Sequence, residues 1–127
     1  MIHLGVIGLS PGNGHPFSWS ALVNGSFEAD EITRARYPGI TAYLTANRDT
    51  LGIPGARVTH AWAPQRADAE AIARAAHVPN VVSRPEDLIG TVDAVLLLQD
   101  DPAHQVALAR PFLAADVPLF IDKPLAS

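Results

Sequence analysis

A single lysine occurs in the 127 residues, Lys123, and it stands in Asp122-Lys123-Pro124 directly after the apolar run 118–122. The other eight basic side chains are arginines, so the one exception falls at the exit of what reads as a buried strand. An ammonium fixed there by the following proline is placed to hydrogen-bond a hydroxyl and assist proton movement beside it; a surface lysine at a strand exit is the alternative. A second cluster, Gln99-Asp100-Asp101-Pro102-Ala103-His104, follows the almost wholly apolar run 93–98. Asp101 before Pro102 has the form of a helix start, with the carboxylate capping free N–H groups and the proline at the first helical position. His104, one turn in, faces either a crevice or solvent. Asp101 and His104 alone are too sparse for a metal site, and no third ligand is evident. His3, His60 and His77 read as structural or exposed.

The third cluster is Gly8-Leu9-Ser10-Pro11-Gly12-Asn13-Gly14-His15, between an apolar strand and a helical stretch ended by Gly25. Glycines in that context let backbone N–H groups approach a phosphate, and a helix N-terminus adds favourable partial charge. Against the dinucleotide fingerprint Gly-x-Gly-x-x-Gly, Gly8 takes the first position and Ser10 stands at the second. Gly12, Asn13 and Gly14 belong to a longer loop. A tight turn rich in Gly and Asn is the competing reading. No Gly-Lys-Ser/Thr follows, which excludes an ATP-type phosphate loop.

Dinucleotide folds that hold the adenine ribose by its hydroxyls place an acid at the end of the second strand. Here that end is Ala61-Trp62-Ala63-Pro64-Gln65-Arg66, with no acid before Asp68. The missing carboxylate favours NADP over NAD, with Arg66 available to a 2′-phosphate. Arg66 facing solvent, and Trp62 filling the adenosine site as packing, are the alternatives.

These clusters need a sheet to bring them together, and the apolar pattern supplies one. Short continuous runs at 2–8, 57–63, 80–83, 93–98 and 118–122 predict five strands buried on both faces. Helical stretches lie between them: an Ala-rich one at 67–76, a single turn at 85–89 ended by Gly90, and the longest at 103–115. Val106, Leu108, Ala109, Phe112 and Leu113 make the apolar side of the last, and Pro111 should kink or restart it. The fold class expected is α/β, a doubly wound parallel sheet of the Rossmann type in the order 3-2-1-4-5, with one domain over 1–127. Ligands then sit at the carboxyl ends of strands one and four. The segment 26–55 exceeds a minimal unit and reads as an insertion beside that crevice, either surface decoration or a lid or specificity element.

Composition bounds the rest. Nearly half of the residues are apolar (48%), enough for one core. A net charge of −4 without a basic run argues against nucleic acid. No apolar run approaches membrane-spanning length, and the N-terminus lacks the features of a signal peptide. With no cysteine, disulfide and thiolate chemistry are excluded, and a cytoplasmic location is expected.

Gly8 through His15, the Asp101-x-x-His104 pair and Asp122-Lys123-Pro124-Leu125-Ala126 together resemble the N-terminal domain of the glucose–fructose oxidoreductase, inositol dehydrogenase and rhizopine-catabolism (Gfo/Idh/MocA) family over nearly the whole chain. On that likeness Lys123 takes the place of the family's active-site lysine, and Gln99 to His104 line the nicotinamide. Asp122 stands for the usual Glu and Asp101 for the usual Asn, while Ser10 and the acid missing near Ala63 bear on dinucleotide affinity. Family members continue past the equivalent of Ser127 into a domain with the substrate pocket, a catalytic His or Asp and the usual oligomer interface. The resemblance therefore implies the cofactor half of an NAD(P)-dependent oxidoreductase for a sugar, cyclitol or similar polyol, inactive as this chain. A non-catalytic Rossmann module that binds a nucleotide, self-associates or docks on a partner subunit is the other reading. A phospho-acceptor regulator lacks the acidic pair it needs at the end of strand one.

Overall fold

In a computed structural model, which describes residues 1–10 and 12–122, five strands form one all-parallel sheet in the order β3-β2-β1-β4-β5. They are β1 (Ile2–Ile7), β2 (Ala56–Trp62), β3 (Asn80–Val81), β4 (Ala94–Leu97) and β5 (Leu119–Ile121). Register sets what the sheet presents. Ile7 pairs with both Trp62 and Leu97, and Leu97 pairs with Ile121, so these four stand in one row. Gly8, Ala63, Leu98 and Asp122 are therefore the first residues past a level carboxyl edge.

Five helices accompany the sheet: α1 (His15–Asn24), α2 (Ala29–Arg34), α3 (Pro38–Ala46), α4 (Arg66–Ala76) and α5 (Pro102–Ala114). Alternate β1 side chains serve two cores. Val6 joins Phe17, Ile32, Leu44, Val58 and Ile72 under α1 to α4. Ile7 joins Leu88, Val95, Leu97 and Phe112 under α5 and the 3-10 turn Pro85–Leu88. Each large side chain removed from water in this way stabilises the fold by roughly 1.5–3 kcal/mol. Burial on both faces fails at the two outer strands of the described sheet, where Asn80 of β3 is exposed and Phe120 of β5 is half exposed.

Pro111 does not break α5, which runs unbroken from Pro102 to Ala114. The carbonyl that loses its partner belongs to exposed Ala107, where water can take the bond. The buried stripe also differs from expectation, being Gln105, Ala109 and Phe112 with Leu108 partly covered, while Val106 and Leu113 are exposed. Spacing of three and four residues selects that row, and a shift of one position turns a side chain by about 100°. Gln105 belongs there because its Nε2 donates to the carbonyls of Gln99 and Asp122 (2.8 Å to the latter), tying the ends of β4 and β5 together.

The segment 26–55 folds as α2, α3 and the 3-10 turn Arg48–Thr50, with Ile32 and Leu44 fully buried in the first core. It returns along α1, the N–H groups of Gly52 and Ile53 donating to the carbonyls of Leu22 and Val23. It is thus part of the packed body.

His60 on β2 gives the fold a pH dependence. Burial, and next the charge of His3, lower its pKa from the usual 6.5. A lowered imidazole pKa favours the neutral folded form, so its stabilisation is present above pH 6.5 and is lost as pH falls through the lower folded value. Thermal melts between about pH 5 and 8 are expected to show a shallower acid limb for His60→Gln than for the wild type. Equal limbs would remove His60 as the cause.

Candidate functional site

The loop between β1 and α1 begins at Gly8, where an added Cβ would lie 2.5 Å from Cγ of Pro16. The strand therefore turns against the start of α1 with no room for a side chain. Ser10, at the second fingerprint position, crosses to the loop after β4: its hydroxyl donates to Oδ1 of Asp100 (2.6 Å), and the Asp100 N–H donates back to Oγ (3.1 Å). Gly12 has φ 79° and open space around its Cβ position. Asn13 is buried; its Oδ1 accepts from the N–H of His15 (2.9 Å) and its Nδ2 donates to Oδ2 of Asp122 (2.9 Å). Gly14 lies under α3, where a Cβ would come within 2.4 Å of Cδ1 of Ile40 and 2.8 Å of Cδ1 of Tyr37.

The candidate residues divide between two recesses on this edge. Trp62, Gln99 and His104 meet in one of about 270 Å³, closed by Pro64, Ala107 and Leu108. Trp62 is steadied there by Nε1 donating to the Ser83 carbonyl (3.3 Å), and Gln99 is buried. Gly12, Asn13 and Gly14 line the other, a cleft of about 630 Å³ between α1 and α3. Asp101 caps α5 by accepting from the Ala103 N–H (3.0 Å), and its other carboxylate oxygen pairs with His104 Nδ1 (3.1 Å). Arg66 is exposed at the first residue of α4 and lines neither recess. Lys123 lies outside the described residues.

Trp19, Tyr37 and Tyr43 of the larger cleft carry no motif, while His15, Asp100 and Asp122 come from the three clusters. His15 places Nδ1 2.7 Å from Oδ2 of Asp122, and the His15 and Trp19 rings stack obliquely with centroids 5.5 Å apart. Tyr37, Tyr43 and Asp100 complete the polar and aromatic lining, brought there by α3 and by the loop after β4. Burial, and then the carboxylates of Asp68 and Asp100, raise the Tyr37 phenol above its usual 10.0, so it stays protonated at neutral pH. The Asp122-Lys123-Pro124 motif already singled out Asp122, and register fixes it as the residue that follows the edge row. No local signal marks Tyr37 or Tyr43, whose position depends on α3 packing over Gly14. Among the described residues there is no group of three metal-ligating side chains, and no helix is long and apolar enough to cross a membrane.

A parallel sheet in this order, with a glycine turn at the first strand and recesses on either side of the switch between β1 and β4, defines a Rossmann dinucleotide-binding domain. The family model described as "Oxidoreductase family, NAD-binding Rossmann fold" (Gfo/Idh/MocA) matches residues 2–127, and the chain belongs to that family as its N-terminal NAD-binding domain. Among solved structures, it is similar to apo scyllo-inositol dehydrogenase from Lactobacillus casei at 16% identity and a TM-score of 0.63, covering 99% of this chain and 29% of that one. Myo-inositol 2-dehydrogenase from Lactobacillus plantarum follows at 17% identity and 0.61, covering 98% and 29%. UDP-N-acetylglucosamine 3-dehydrogenase from Acidithiobacillus ferrooxidans matches at 18% and 0.58, covering 100% and 32%. The L. casei enzyme is also known with bound NAD(H) and scyllo-inositol. The chain thus spans less than a third of the proteins it matches. No curated protein matches it.

Proposed function

We propose that this domain binds NADP in preference to NAD and serves an oxidoreductase acting on a sugar, cyclitol or similar polyol. The observation that carries the reading is the pair of recesses at one carboxyl edge, on either side of the turn at Gly8. The residues present fit a dinucleotide in outline. Trp62, Pro64 and Leu108 offer an apolar slot for a flat ring, Gln99 and His104 offer polar edges to it, and Gly12 leaves open backbone for a phosphate. Asp68, the first acid after β2, lines a separate recess with Tyr37 and Arg74, so no carboxylate in the Trp62 slot disfavours a 2′-phosphate. Arg66 stands nearby at the start of α4, where a swing of its side chain brings the guanidinium to such a phosphate.

The nicotinamide, when bound, supplies or accepts a hydride. The chain's own part is to orient the substrate hydroxyl and hold its proton. Lys123, at the family's lysine position, is assigned the first task, and the main base belongs to the part of such enzymes beyond this chain. Alone, the chain is expected to bind cofactor weakly and turn over nothing.

One observation favours a second reading. Asn13 already caps the His15 N–H and Pro16 has none, so the start of α1 offers few free donors. A Rossmann module that docks on a partner without turnover has this form, and the half-exposed Phe120 supports such docking.

Calorimetric titration with NADP(H) and NAD(H) separates the two. Saturable binding with NADP tighter is expected, and Arg66→Ala should reduce the NADP affinity roughly tenfold, to the NAD level. Lys123, also expected to contact the cofactor, should on replacement by Ala weaken binding of both nucleotides alike, without changing their order. No heat with either nucleotide at millimolar concentration would support the docking module instead.

A further inference from the structure

The amino edge of the sheet, opposite the two recesses, carries a cluster with a different chemistry. α1 ends there at Gly25 (φ 77°), and the chain that follows runs past the end of α4, where the Glu28 N–H donates to the Ala75 carbonyl (2.7 Å). Phe27 turns into the first core, while Ser26 and Glu28 on either side of it reach the same imidazole, as alternate side chains of an extended segment do. His77 Nδ1 lies 2.7 Å from the Ser26 hydroxyl oxygen, and Nε2 lies 2.8 Å from Oε1 of Glu28. A carboxylate can only accept, so in the neutral ring Nε2 carries the proton, Nδ1 keeps the lone pair and the Ser26 hydroxyl donates to it. The histidine is also held from behind. It stands at φ 57°, a left-handed position that at helix ends usually falls to Gly or Asn, and its N–H donates to the Ala73 carbonyl. Its own carbonyl accepts from the Arg57 guanidinium (3.0 Å). Arg57 in turn lines a recess of about 380 Å³ with Val23, Asn24, Leu51, Ile53 and Pro54. Gly52, on the same wall, has its Cα 3.1 Å from where a Cβ on Gly25 would stand, so the recess adjoins the residue before Ser26. A hydroxyl bonded to an imidazole that a carboxylate orients is the arrangement that makes serine a nucleophile.

We propose that Ser26 is a nucleophile that accepts an acyl group from a small apolar ester or thioester, with His77 as its base and Glu28 as the positioning residue. The recess beside Gly25 receives the acyl chain, since most of the side chains named on its wall are apolar. Arg57 bonds to no acceptor but the His77 carbonyl among the described residues, and its other N–H groups serve the acyl oxygen as that atom gains charge. As Oγ bonds to the acyl carbon, the hydroxyl proton passes to Nδ1. The bond from that carbon to the leaving oxygen or sulfur then breaks, and the imidazolium returns the proton to the leaving group. The products are an ester at Ser26 and a free alcohol or thiol, and nothing is oxidised or reduced. Glu28 steadies the imidazolium in between.

Treatment of the whole chain with p-nitrophenyl butyrate is the test, with peptide mapping by mass spectrometry to locate the butyryl group. Ser26 is expected to take it at least roughly tenfold faster than Ser10, Ser18 or Ser83 of the same molecule, and the burst of p-nitrophenol should disappear in Ser26→Ala. His77→Asn, whose new residue suits left-handed backbone, should bring Ser26 down to the rate of the other serines while the thermal melt stays cooperative. Glu28→Gln should slow the labelling less, because it keeps an acceptor for Nε2 and loses only the charge. Long-range 1H–15N spectra of 15N-histidine chain should show neutral His77 protonated at Nε2 and bare at Nδ1, with Glu28→Ala mixing the two tautomers. Butyryl spread evenly over the serines overturns the proposal. So does Ser26 labelled as fast in a folded His77→Asn as in the wild type, or a proton on Nδ1 of the neutral ring.

Discussion

Asp100→Asn is expected to tighten dinucleotide binding about tenfold at low salt. The Asp100 carboxylate sits at the end of β4 and is joined to Ser10, the residue at the second glycine position of the fingerprint. On the proposed binding mode a pyrophosphate crossing from the Trp62 recess to the α1–α3 cleft would pass this pair, and repulsion between like charges a few ångströms apart at a surface is worth roughly 1–4 kcal/mol. Tenfold corresponds to about 1.4 kcal/mol, the lower part of that range. Charge is the cause proposed, so the gain should shrink as salt rises and the Debye length falls from about 10 Å towards 3 Å. Asn keeps an acceptor for the Ser10 hydroxyl, which separates loss of charge from loss of the cross-link. Ser10→Gly breaks the cross-link and leaves the charge. Calorimetry on both variants at two salt concentrations decides between them, and unchanged affinity in Asp100→Asn would mean that the phosphates take another route.

Gly8→Ala should destabilise the domain by about 1–3 kcal/mol, the usual cost of forcing an extra carbon into a packed region. The obstacle is a proline ring, 2.5 Å from the new Cβ at Cγ and 3.0 Å at its own Cβ, with Ile72 Cδ1 behind at 3.6 Å. A proline cannot swing aside as a long side chain can, so the turn and the start of α1 must separate, and nucleotide affinity should fall with stability. Gly39→Ala is the control. Nothing lies within 4 Å of its Cβ position in α3, and alanine there should stabilise by about 0.5–1 kcal/mol. Thermal melts of both variants test the contrast; a neutral Gly8→Ala would mean that the turn relaxes freely.

Strand order was legible because the five strands announce themselves as short apolar runs and right-handed crossovers leave few arrangements. The capping role of Asp101 was legible for a local reason, the Asp-Pro pair at a helix start. Features that depend on packing between distant segments were not. The buried face of α5 includes a glutamine that no hydrophobic pattern selects, and its partners lie six and seventeen residues away. The segment 26–55 could be recognised as extra, but its role as a cleft wall depends on Ile32 and Leu44 anchoring it in the core and on Gly14 admitting Ile40 and Tyr37. The His15 and Asp122 pair joins residues 107 apart. Both belong to stretches that already stood out, yet type and spacing give no pairing between two loops; only the row formed by Ile7, Leu97 and Ile121 brings them face to face.

Gln105 makes the two recesses mechanically dependent. One amide nitrogen holds the carbonyls of Gln99, which lines the Trp62 recess, and Asp122, which holds the imidazole on the cleft wall. Neither strand tip can then drift without dragging the other. A force that pries β4 from α5 loosens the footing of Asp122 as well, so the two recesses deform together, and a leucine at position 105 would uncouple them.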